Sequence, residues 1–223
     1  MSEDVIQQNK THFMEIFQSK VTRDGAKEFL NWLEGTDFFV APASTRFHLA
    51  AEGGLVEHSL HVYERLRALF RSEKTSKLNT LAVLTPEEEE SIAICGLLHD
   101  VCKVNFYKQE PRNQKTYDPA KVSAAGPYKV KHDSQGDFIW ETVMKYVIED
   151  QYPFGHGEKS VRLISDHMKL STEEAMAIRW HMGGFDDAVK GGSYSVREAF
   201  NRFPLAIMTH LADMQASYLD EAE

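Results

Sequence analysis

Apolar residues recur at helical spacing through most of the chain, and the places where they stop divide it into segments. Val5, Ile6, Phe13, Ile16 and Phe17, then Phe29, Leu30 and Leu33, describe two amphipathic helices reaching about Glu34, with Asp24 a candidate N-cap between them. Pro42 breaks the pattern, and Gly53-Gly54 forms a hinge before it resumes at Leu55, Leu60, Val62, Leu66, Leu69 and Phe70 in a third helix starting near Leu55. The polar run RSEKTSKLNT reads as a loop. Thr85, Pro86 and the glutamates after them form a strong helix start, and that helix carries His99 and Asp100 in its last turn.

From Asn105 to about Gly155 the helical signal fades, interrupted by Pro111, Pro119, Pro127 and Pro153. FIWETVMKYVI fits either period. Strands in a hairpin or flap are the favoured reading, because long insertions without helical periodicity often form lids over active sites. Helices return in GEKSVRLISDHMKL and in STEEAMAIRWHMGG, where Ser171 and Glu174 have capping-box spacing and Gly183-Gly184 marks the end. Ser195 and Glu198 repeat that spacing, and a last helix begins after Pro204. The fold class predicted is mainly α, with one small hairpin or irregular insertion and no internal repeat.

Composition narrows the function classes. A chain of 223 residues with 42% apolar content can bury one well-formed core. No apolar run approaches the roughly 18 to 20 residues of a membrane span, and MSEDVIQQNK lacks the layout of a signal peptide, so the expected location is cytoplasmic with no membrane partner. The two cysteines, Cys95 and Cys102, share roughly one helix face and are not spaced as a structural zinc pair. They read as reduced, buried thiols. A net charge of −9 opposes a general affinity for polyanions, so nucleic acid is possible as a partner but not favoured.

Ten histidines remain, and histidine is the commonest metal ligand. An adjacent His-Asp pair is weak evidence alone, and the chain has two. His132-Asp133 lies in a polar, glycine-bearing stretch and reads as a solvated loop, whereas His99-Asp100 is carried by an apolar helix rigid enough for a metal site. His58 follows the Gly-Gly hinge, His156 is flanked by glycines, His181 precedes Gly183-Gly184, and Asp213 lies among small residues near the last helix end.

The series His58, His99-Asp100, His156, His181 and Asp213 resembles the H…HD…D pattern of the HD-domain metal-dependent phosphohydrolase superfamily. GGLVEH and LLHDVCK, the latter matching the form HDxxK, look especially like the branch that includes 3′-to-5′ exoribonucleases. The likeness runs from about Arg46 to Tyr218. It implies an HD-domain helical bundle in which residues 1–45 are N-terminal helices, 46–104 and 155–223 the metal-binding core, and 105–154 an insertion or flap. It further implies that His58, His99, Asp100 and Asp213 hold one divalent ion, and that Asp100 bridges to a second held by His156 and His181. A binuclear set of imidazoles and carboxylates with no thiolate suits iron, manganese, nickel or zinc.

Lys103, one turn beyond Asp100, is placed to neutralise a phosphate oxygen, or simply favours a helix C-terminus. Lys159 and Ser160 follow His156 at a helix start, where backbone N–H groups favour anions. His48 precedes the Gly-Gly hinge, as a histidine does in the exoribonuclease branch, and is a candidate substrate contact. His61 and His210 read as groups outside the ligand set, and His12 and His167 as solvated.

The expected activity is metal-dependent hydrolysis of a nucleotide or other small phosphate ester. The N-terminal helices leave no room for the oligonucleotide-binding β-barrel attached to the related exoribonucleases. Two alternatives stay open. One is a 3′-5′ exonuclease or cyclic-nucleotide phosphodiesterase whose insertion supplies a groove, to which Lys108, Arg112, Lys115, Lys121, Lys129 and Lys131 lend a basic bias. The other is a non-catalytic nucleotide-sensing or partner-binding module.

Overall fold

The computed structural model describes residues 1–222. Helices α1 (Glu3–Lys20), α2 (Ala26–Glu34), α3 (Gly54–Leu78) and α4 (Pro86–Leu98) come first. A 3-10 turn, Val101–Lys103, leads into β1 (Tyr107–Thr116), α5 (Pro119–Ala124), β2 (Lys131–Asp133) and β3 (Gly136–Ile148). The chain ends with α6 (His156–Ser165), α7 (Thr172–Arg179), α8 (Asp187–Lys190), α9 (Ser195–Arg202) and α10 (Pro204–Gln215), which runs on into a π-helical turn, Ala216–Asp220.

Helix α4 is the axis of the bundle. Its residues Ile92 to Leu98 are all buried, the pattern of a helix packed on every side. Around it close Phe13 and Phe17 of α1, Phe29 and Leu33 of α2, Leu55 and Leu66 of α3, Ile164 of α6 and Ala206 of α10. Gly96 sets the distance between α3 and α4: a Cβ there would lie 2.5 Å from the Tyr63 Cα. That backbone approach brings His58 of α3 within reach of the end of α4.

The insertion folds as a three-stranded antiparallel sheet in the order β1-β3-β2. The long ribbon runs from Tyr107 opposite Ile148 to Thr116 opposite Ile139. FIWETVMKYVI is therefore strand, and the mainly helical fold with a small β insertion is as expected. The predicted helix start at Thr85 closes as a capping box with Glu88, and the predicted Ser171/Glu174 box forms. Cys95 and Cys102 are buried and free.

Several local expectations are corrected. Arg71 to Leu78 is not a loop but the last two turns of α3, held from outside by Lys74, whose Nζ is 2.6 Å from Glu88. Gly25 in the left-handed region, not Asp24, precedes α2, and Tyr194, not Ser195, occupies the N-cap of α9. α4 ends at Leu98, so His99 is its C-cap and Asp100 opens the 3-10 turn. His132 and Asp133 belong to the short edge strand β2 instead of a loop. His167 is not fully solvated, because its ring stacks on Trp32 with centroids 5.0 Å apart. Among the described residues no helix is long and apolar enough to cross a membrane.

Candidate metal centre

The structure brings His58, His99, Asp100, His156, His181 and Asp213 together at one end of α4. Asp100, 3% exposed, is the hub, and its two oxygens divide the histidines. Oδ2 faces His58 Nε2 at 3.7 Å and His99 Nε2 at 3.6 Å, while Oδ1 faces His156 Nε2 at 2.7 Å and His181 Nε2 at 3.4 Å. Asp213 approaches on the first side, its Oδ1 3.3 Å from His58 Nε2. Four overlapping triads of ligand atoms, each within 4.8 Å of one another, run through the site. They are His48-His58-Glu221, His58-His99-Asp213, His99-Asp100-His181 and Asp100-Cys102-His156.

The rings are oriented from behind. His99 donates from Nδ1 to the Gly96 carbonyl at 2.9 Å, and His181 donates from Nδ1 to the Ile178 carbonyl at 2.7 Å, both reaching back three residues at a helix end. His58 Nδ1 donates to the Glu221 carboxylate, 3.1 Å from either oxygen. A histidine whose Nδ1–H is committed in this way presents a bare Nε2, the arrangement of metal-ligating imidazoles. His181 Nε2 is buried and has no hydrogen-bond partner, and His99 Nε2 and His58 Nε2 face each other at 3.2 Å. Lone pairs so converged need a cation between them, so the donor set fits divalent metal.

Electrostatics agree with that need at His99, and at His58 a proton stands where the cation would bind. Burial pushes His99 down to about 3, and it stays neutral at physiological pH. Burial also opposes a charge on His58, but its bonds to Asp213 and Glu221 outweigh that and raise it to about 9. Asp100 keeps its charge despite burial, because Lys103 and the surrounding imidazoles hold it well below the usual carboxylate range.

The remaining candidates are engaged in other ways. Lys103 Nζ lies 2.5 Å from Asp100 Oδ2 and donates to the Ala43 carbonyl at 2.7 Å, at the edge of the site. Lys159 is buried, paired with Asp150 at 2.6 Å and set over the Phe106 ring. Ser160 Oγ accepts from the Cys102 backbone N–H at 3.1 Å. His48 packs its ring 5.0 Å from that of His58, with a buried Nε2 that lacks a partner. His61 donates to Glu221 at 2.9 Å, and His210 donates to the His181 carbonyl at 2.6 Å.

Glu221 is the participant that sequence reasoning missed. It is 8% exposed, binds both His58 and His61, and is held near pKa 2 by those bonds against the effect of burial. It lies 163 positions from His58 in an acidic tail that carries no pattern, so only the tertiary fold reveals it.

Residues 55–143 match the family model described as HD domain, a span that contains His58, His99, Asp100 and Lys103. No curated protein and no solved structure matches the chain. The other three predicted ligands, His156, His181 and Asp213, lie beyond the matched span, and the fold delivers the first two to Asp100 and the third to His58. Over that span the chain is similar to the HD domain, in agreement with the resemblance carried by its His58, His99-Asp100 series.

Proposed function

We propose that this protein hydrolyses a phosphoester bond of a nucleotide or other small phosphate ester at a centre of two divalent ions. His58, His99, Asp100 and Asp213 would hold one ion, and Asp100, His156 and His181 the other. The observation that carries this reading is the division of four Nε2 atoms between the two oxygens of one buried carboxylate, two on each. Ions bound there would supply Lewis acidity toward a phosphoryl oxygen and acidify the attacking water.

The protein supplies position and charge. His99 and His181 are fully buried, while the side chains of His156, Asp213 and Lys103 are 31%, 15% and 12% exposed, so a phosphate approaches from their side. Lys103 brings a fixed cation to that edge, where it offsets the charge that grows on the phosphoryl oxygens. Exclusion of water from the Asp100 side strengthens each of these contacts.

A small substrate is favoured over a nucleic-acid groove. The insertion from Asn105 to Phe154 contains seven basic and seven acidic residues. Lys108 is paired with Glu149, Arg112 with Glu110, Lys115 with Asp133 and Lys121 with Glu141, which leaves little free charge for a sugar-phosphate backbone.

The test is metal analysis of the purified protein, followed by phosphate-release assays on nucleotides, cyclic dinucleotides and short RNA with added manganese or iron. Two ions per chain and turnover on nucleotides support the proposal. Turnover confined to RNA or cyclic dinucleotides transfers it to the nuclease or phosphodiesterase class. A metal-loaded protein that binds nucleotide but cleaves nothing is a sensor.

Two variants probe the parts. Lys103→Ala should retain both ions and lose about 100-fold in kcat, the effect of removing one transition-state donor. A loss confined to KM would show that Lys103 only binds substrate. Gly157→Ala should act on one side of the centre, because a Cβ there would lie 2.3 Å from the Arg179 carbonyl oxygen and 2.6 Å from that of Ile178. Pushing α6 from α7 separates His156 from His181. The expected result is a loss of about 1–3 kcal/mol in urea unfolding, with metal content falling from two ions toward one. Unchanged stoichiometry would show that the glycine serves packing alone.

A further inference from the structure

We propose that Cys102 is a ligand of the second ion, making the position shared by Asp100, His156 and His181 a sulfur-containing site that prefers zinc, cobalt or ferrous iron to manganese or magnesium. This rests on the two-ion reading above and adds a thiolate to a ligand set expected to contain only nitrogen and oxygen. Cys102 lies two residues beyond Asp100 in the 3-10 turn, with its Sγ 3.5 Å from His156 Nδ1 and 3.6 Å from Nε2. A tetrahedral ion with sulfur at about 2.3 Å and imidazole nitrogen at about 2.1 Å holds those two atoms roughly 3.6 Å apart. The spacing to Nε2 has that value, and the equal closeness of Nδ1 means that the His156 ring turns about its Cβ–Cγ bond to aim Nε2 at the shared ion.

Independent observations converge on the same point. Asp100, Cys102 and His156 present ligand atoms within 4.8 Å of one another. His181 Nε2, fully buried and without a partner, faces the same Asp100 oxygen that His156 touches. The sulfur is held in register with these groups, since the Cys102 backbone N–H is bound by Ser160 of α6, the helix that His156 begins. Cys95 offers an internal comparison: it is fully buried in the core, its Sγ 4.0 Å from the Glu174 carbonyl oxygen. When the sulfur–metal bond forms, the thiol proton passes to solvent and no oxidation state changes. A softer ligand beside imidazole and carboxylate moves the preference away from the hard ions.

Cobalt(II) titrated into the metal-free full chain reads the sulfur directly. Two equivalents should bind, one bringing a near-ultraviolet sulfur-to-cobalt charge-transfer band. Cys102→Ser should remove the band and weaken one of the two ions by more than about tenfold, the least that changes outside the ligand shell cost, whereas Cys95→Ser should preserve both. The wild-type spectrum decides the matter even if the serine variant folds poorly. Two bound equivalents with no such band, or a band that survives in Cys102→Ser, overturn the sulfur ligand and leave the two-ion centre standing. Failure to take up a second equivalent overturns both.

Discussion

Asp100→Ala should leave a protein that holds no stoichiometric metal and turns over phosphate esters at least 1,000-fold more slowly, a loss of about 4 kcal/mol in transition-state stabilisation. Five cationic or metal-facing groups meet this one carboxylate: His58, His99, His156, His181 and Lys103. Without it the two proposed ion positions have no shared anion, and Lys103 is left as a largely buried charge with no counter-ion. Removing one partner of a buried pair costs about 3–5 kcal/mol, so stability should fall with activity. Asp100→Asn separates these effects by keeping the shape and losing the charge. It should fold better than the alanine variant and be equally inactive. Metal analysis beside urea unfolding checks both variants, and metal content equal to wild type in either would remove Asp100 from the centre.

The adjacency of His99 and Asp100 carried little of this by itself, as His132-Asp133 demonstrates. That second pair lies on an edge strand, with His132 exposed and bonded to Asp137, and the half-buried Asp133 bonded to Lys115. What distinguishes the first pair is the unbroken apolar run before it, legible because a helix buried on all sides shows as composition. Caps such as Thr85/Glu88 were equally legible, since their hydrogen bonds close within four residues.

Contacts made across the fold were not legible. The polar end of α3 shows no apolar period because it is held by Lys74 against Glu88 and by Arg71 against the Ala82 carbonyl. The basic bias of the insertion dissolved for the same reason: its cations find their carboxylates across strands. Glu221 and Cys102 belong to this group. An acidic tail residue and a buried thiol have ordinary readings in sequence, and only their distances to His58 and His156 change them.

Arg23→Ala is expected to cost about 3–5 kcal/mol of stability at neutral pH, although Arg23 lies far in sequence from the metal centre and outside any motif. Its guanidinium ties the turn after α1 to both α4 and α7. It donates to Glu174 at 2.7 Å and 2.8 Å, to Glu90 at 3.0 Å and to the Lys169 carbonyl at 3.0 Å. Glu174 is 1% exposed and also closes the cap of α7 through Ser171, so deleting the arginine strands a buried carboxylate at the start of the helix that leads to His181. Burial raises the pKa of Glu174, but bonds from Arg23, Ser91 and the Ser171 backbone bring it below the ordinary value, and Glu90 is lowered likewise by Arg23 and Thr22. Carboxylates lowered in the folded state contribute stability that is complete above the unfolded pKa, about 4.3, and is lost as pH falls through the folded value. In the variant the burial of Glu174 remains without its cation, so the protonated form becomes the better one and acid relieves the defect. The gap between wild type and Arg23→Ala in urea unfolding should therefore be widest near pH 7 and narrow below about pH 4. Glu174→Gln placed in the Arg23→Ala background should recover much of the loss at neutral pH, since the amide oxygen accepts from the Ser171 backbone N–H and the amide NH2 donates to the Ser91 hydroxyl, without a buried charge. A gap that stays constant across that pH range, with no recovery by glutamine, would mean that Arg23 stabilises the bundle through the packing of its stem alone.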